Sequence, residues 1–136
     1  MQNALSPELF WLTAITLLTA LLWLPYIGNQ LLVMGIWPAI SNSDPGEVKR
    51  SDWAFRASAA HRNAVENLVV FAPLALAVHV AGVANETTAL ACLVYFWVRV
   101  AHYIIYTLGI PLLRTLSFAA GVICQLALAA RLLGWS

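Results

Sequence analysis

Four stretches of this chain are too long and too apolar to be the core of a soluble domain. A helix needs about 20 mostly apolar residues to cross the hydrocarbon of a bilayer. Helices of that kind are expected at about 7–37, 56–83, 87–108 and 112–133. Charged side chains make up 10% of the 136 residues, against roughly 25% in a soluble domain. The fold class that follows is an all-α integral membrane protein: a four-transmembrane-helix bundle in a single domain, residues 1–136. A net charge of +1 gives no field to draw nucleic acid. Cys92 and Cys124 lie inside apolar runs without CxxC or Cys/His spacing, so neither a disulfide framework nor a metal site is expected.

The boundaries have local causes. Ser6-Pro7-Glu8 supplies a capping hydroxyl, a first-turn proline and an acid at the positive end of the helix dipole. Pro25 should bend the first helix near its far end, and apolar character resumes over Leu31 to Ile40. Asn42-Ser43-Asp44-Pro45-Gly46 reads as a turn. Pro73 falls inside the second helix, which neighbouring helices can tolerate. The short link from Gly82 to Glu86 makes helices two and three an antiparallel hairpin. The start, Met1-Gln2-Asn3-Ala4, lacks the basic region of a cleavable signal. Lys49, Arg50 and Arg56 in one loop, with Arg114 beside the next loop on that side, predict that this end is cytoplasmic and both termini are outside.

Ionisable residues inside spans are costly and usually functional. One cluster is His61-Arg62-Asn63-Ala64-Val65-Glu66-Asn67, early in helix two. The other is Arg99, His102, Tyr103 and Tyr106 late in helix three, with Arg114 opening helix four. Arg62 and Glu66 are four apart, and Arg99, His102 and Tyr106 are three then four apart, so each set forms one stripe. Helix two starts at the end where helix three finishes, so both stripes lie at one depth and suggest one pocket. Three arginines face one acid, Glu66. A carboxylate-bearing ligand would balance them, since arginine binds carboxylates bidentately, and Glu66 would suit an ammonium group. Simpler readings stand beside this one. Arg62 and Glu66 could form a plain ion pair, His61 and Arg62 could snorkel to the headgroups, and the tyrosines could be interface aromatics. His79, alone in helix two, suits an interhelical bond.

Arg56-x4-His61-Arg62-Asn63-x2-Glu66-Asn67 followed by Phe71-x-Pro73 resembles a signature of the MAPEG family, the membrane-associated proteins in eicosanoid and glutathione metabolism. Arg99-x2-His102-x3-Tyr106, then Arg114-Thr115-x-Ser117-Phe118, resembles its second signature. The pattern is similar to that of bacterial-type members akin to microsomal glutathione transferase. The resemblance implies a homotrimer that binds glutathione between subunits in the cytoplasm-facing half of the membrane. By position, Arg62, Asn63, Glu66, Arg99, His102, Tyr106 and Arg114 would form the glutathione site, with Arg99 in support. Arg114 and Thr115 would be catalytic, stabilising the thiolate. Phe118 stands where some eicosanoid-processing members have tyrosine, and Asn29 and Gln30 stand where some have an arginine. Both differences point away from prostaglandin or leukotriene synthesis.

The resemblance thus implies a glutathione-dependent transferase or peroxidase of a plasma or inner membrane, acting on lipophilic small molecules or lipids. The alternatives are a non-catalytic lipid- or glutathione-binding protein and a structural membrane oligomer.

Overall fold

The computed structural model describes residues 4–41 and 44–135. Six helices follow in chain order: α1 (Pro7–Leu21), α2 (Leu24–Met34), α3 (Ile36–Ile40), α4 (Asp52–Val80), α5 (Glu86–Leu108) and α6 (Pro111–Leu132). Four segments are long and apolar enough to cross a membrane: Pro7–Met34, Asp52–Val80, Glu86–Leu108 and Pro111–Leu132. The protein is a multi-pass, all-helical membrane protein.

The first span is not one continuous helix to residue 37. Ser6 caps its start, accepting from Leu9 N–H at 3.3 Å. Pro25 has no N–H to offer the carbonyl four residues before it, and the chain breaks at Leu22–Trp23 between α1 and α2. Across this break the Tyr103 hydroxyl donates to the Leu22 carbonyl at 3.0 Å. Gly35, at φ 84°, then ends α2 and turns the chain into α3. Of the expected turn at 42–46, Asn42 and Ser43 lie outside the described residues, as do Met1, Gln2 and Asn3. Pro45–Glu47 form a single 3-10 turn.

Helix α4 begins at Asp52, four residues before the expected start. Its polar first turn hid it among the loop residues. Asn29 of α2 secures this start: Ser51 N–H donates to Asn29 Oδ1 at 2.8 Å, and Asn29 Nδ2 donates to Ser51 Oγ at 2.9 Å. At the other end of the bundle, Asn85 and Thr88 form a reciprocal capping box at the start of α5. Thr88 Oγ1 also donates to the buried Glu8 carboxylate at 2.6 Å, joining the first turns of α1 and α5. Gly109, at φ 77°, closes α5. Arg56 Nε reaches the Thr107 carbonyl there at 2.9 Å, a cation at the negative helix end.

Helix α5 packs between α4 and α6, and α1 covers α4 and α5. The core gathers Ile15, Phe71, Ala75, Val78, Tyr95 and Leu128 with the two free cysteines. Phe71 and Tyr95 stack at 3.8 Å. Ala54, Ala57, Ala60 and Ala64 are buried along α4, and such small side chains let membrane helices approach closely. Leucine, valine and isoleucine cover much of the outer surface, as suits contact with lipid.

Candidate functional site

Helix α4 carries Arg62, Asn63 and Glu66 along one flank, α5 brings Arg99, His102 and Tyr106 late in its course, and α6 adds Arg114 and Thr115 in its first turns. All eight lie between the middle of the bundle and the end that bears Lys49, Arg50 and Arg56. All but Arg99 line two adjoining hollows. One, of about 280 Å³, is lined by Ala59, Arg62, Asn63, Glu66 and Tyr106. The other, of about 160 Å³, is lined by Asn63, His102, Tyr106, Arg114, Thr115 and Phe118. Asn63 and Tyr106 belong to both. Separately the hollows are smaller than the roughly 300–1,000 Å³ of a small-molecule pocket, and joined they fall within it.

Arg99 stands behind this wall. It is 4% exposed, and its Nη2 donates to Asn63 Oδ1 at 2.7 Å. Among the described residues its Nε and Nη1 have no hydrogen-bond partner. A buried guanidinium with most of its donors idle is expensive, so the site calls for an acceptor. Asn63 is fixed from its other side: Asn67 Nδ2 donates to the Asn63 carbonyl at 2.9 Å and to its Oδ1 at 3.3 Å. Gln125 of α6 donates to the Asn67 carbonyl at 3.2 Å. Gly121 of α6 packs against Arg99; a Cβ there would meet Arg99 Cδ at 3.6 Å, an ordinary van der Waals contact.

The front of the wall is open. Arg62, Glu66, Arg114 and Thr115 are exposed on the protomer surface. Arg62 and Glu66 share one hollow and, among the described residues, form no ion pair with each other. The Arg114 guanidinium lies 4.9 Å from the centre of the Tyr106 ring, a cation–π contact. The Thr115 hydroxyl donates to the Pro111 carbonyl at 3.2 Å within its own helix. His102 is buried, and its Nδ1 lies 2.9 Å from Ser117 Oγ.

Other members of the sequence clusters point elsewhere. His61 Nδ1 pairs with the Tyr26 hydroxyl at 2.8 Å, and Tyr103 serves the helix break. His79 Nδ1 meets Ser6 Oγ at 3.1 Å, an interhelical bond. Sequence reasoning passed over Ser117 and Gln125 as site members. Gln125 had a signal, an amide inside an apolar span, and Ser117 stood within the second signature without a role of its own. Among the described residues no cluster of three or more His, Cys, Asp or Glu could hold a metal ion.

No curated protein and no solved structure matches this chain. A family model does, over residues 9–134, nearly the whole length. Those residues include both polar stripes and all four spans, and the chain belongs to the MAPEG family.

Proposed function

We propose that this protein is a membrane-bound, glutathione-dependent transferase or peroxidase, working as a homotrimer with glutathione held in the joined hollows against a neighbouring subunit. The observation that carries this reading is Arg99: a buried cation with two nitrogens, Nε and Nη1, unpartnered among the described residues, behind a wall where Arg62 and Arg114 outnumber Glu66. Glutathione offers two carboxylates and one ammonium, which complements three arginines and one glutamate. Family membership is consistent with it.

In this mechanism Arg114 stabilises the glutathione thiolate by charge, and Thr115 or Tyr106 supplies a hydrogen bond. In the transferase reaction the thiolate sulfur bonds to an electrophilic carbon, and the leaving group departs with its electron pair. In the peroxidase reaction the sulfur takes the terminal oxygen of a lipid hydroperoxide and releases the alcohol. A second glutathione then converts the sulfenic acid to disulfide and water. The protein supplies position and charge, and no covalent enzyme intermediate is formed. The basic residues Lys49, Arg50 and Arg56 support a cytoplasmic orientation of this end.

The test is a glutathione titration of the detergent-purified protein, following melting temperature and ultraviolet thiolate absorbance together. A ligand that binds only the folded state raises its stability. Stabilisation with a thiolate signal supports the enzyme, and Arg114→Ala should then lose thiolate more than affinity. No stabilisation at millimolar glutathione refutes the proposal. A non-catalytic binding protein is the second reading, favoured by the Thr115 hydroxyl being turned back onto Pro111. Stabilisation without thiolate would select it.

A further inference from the structure

Ser117 has one hydroxyl proton and two polar neighbours. The Arg114 carbonyl, 3.0 Å from Oγ, can only accept, and it is placed to take that proton. With the proton there, His102 Nδ1, 2.9 Å from the same oxygen, donates its own proton to Ser117. A neutral imidazole carries one N–H, so Nε2 is left with a lone pair. That atom is buried and has no partner.

The surroundings give the tautomer its meaning. Arg62, Arg99 and Arg114 all bring donors to the site. Asn63 Oδ1 already accepts from Arg99 and Asn67. With its proton on Nε2, His102 would add one more donor to a site already rich in them. With its proton on Nδ1, it adds an acceptor. We infer that Ser117 is a positioning residue of the ligand site: it fixes His102 as the Nδ1–H tautomer, so that Nε2 offers a lone pair to an N–H or S–H group of the bound ligand. The choice of a thiol peptide as that ligand rests on the proposed function; the tautomer does not.

Nitrogen-15 NMR of histidine-labelled protein tests it, with His102 assigned by its loss in His102→Gln. The wild type should show a protonated Nδ1 and an unprotonated Nε2. Ser117→Ala should move proton density to Nε2 and weaken glutathione binding about three- to tenfold, the range for one hydrogen bond. Ser117→Thr, which keeps the hydroxyl, should restore both. A wild-type ring protonated at Nε2, or at both nitrogens, overturns the inference, as does an unchanged tautomer in Ser117→Ala. An Nδ1–H signal in a protein that glutathione fails to stabilise upholds the positioning role and refutes the choice of ligand.

Discussion

Replacing Arg99 with methionine should leave the ligand-free protein nearly as stable as before, although Arg99 is among its most buried polar residues. The variant loses one charge-assisted bond, Arg99 Nη2 to Asn63 Oδ1, worth about 1.5–3 kcal/mol. It also removes two buried, unpartnered donor nitrogens, each costing about 1–3 kcal/mol. Methionine fills similar space without charge, and Asn63 Oδ1 keeps its contact with Asn67. The balance runs from a loss of about 1 kcal/mol to a gain of several, in line with other exchanges of buried ions for apolar residues. At roughly 4 °C per kcal/mol for a chain of this size, the melting temperature should fall by no more than about 4 °C. Glutathione-induced stabilisation should disappear. Asn63→Ala is the contrast, because it strands the charge without removing it; a loss of about 1.5–3 kcal/mol is expected. The assay is thermal unfolding in one detergent, with and without glutathione. A fall above about 10 °C in ligand-free Arg99→Met would refute the reasoning, since it would mean that the Arg99 donors are already satisfied without ligand.

Two further substitutions test features outside the two hollows. Thr88→Val removes the donor to the buried Glu8 carboxylate and one half of the Asn85 capping box; a loss of about 2–4 kcal/mol with unchanged glutathione affinity is expected in the same melting assay. Tyr103→Phe removes only the bond to the Leu22 carbonyl and should cost about 1 kcal/mol. An altered glutathione affinity in Tyr103→Phe would place that tyrosine among the ligand residues.

What could be read from the sequence follows the reach of each signal. Spans are visible because a bilayer imposes length and polarity on consecutive residues, and the two stripes are visible because helical spacing is local. Partner choice is not local. His61 and Tyr103 stand beside Arg62 and His102 in the same polar clusters, yet their partners are Tyr26 and Leu22, far away in sequence. Glu8 looked like a first-turn acid at a helix end; that it is buried against Thr88 depends on how α1 lies on α5. The split of the first span had its cause in plain view at Pro25, and the second break required only a glycine, Gly35, whose positive φ no periodicity announces.

The outward face of the site carries a consequence for assembly. Glu66 lies midway along the 29-residue α4, about 20 Å from either end at 1.5 Å per residue. A glutamate side chain cannot snorkel that far, yet Glu66 is exposed on the protomer. Arg62, one turn nearer the end, and Arg114 on α6 share the same face. Facing lipid, each charge would cost up to about 3 kcal/mol near the bilayer centre, and the Arg62–Glu66 pairing that could offset this is not formed. Under the proposed assembly another copy of the chain would cover this face, and a ligand bound at that seam would supply the missing counter-charges. Native mass spectrometry from mild detergent is therefore expected to show a multiple of the 14.8 kDa chain, three copies under the proposed assembly. Glutathione should strengthen the assembly, and Glu66→Leu should weaken that effect of glutathione without abolishing the assembly itself. A protein that remains monomeric in lipid nanodiscs would mean that α4 turns a bare carboxylate to the bilayer, and the reading of this face as a subunit seam would fail.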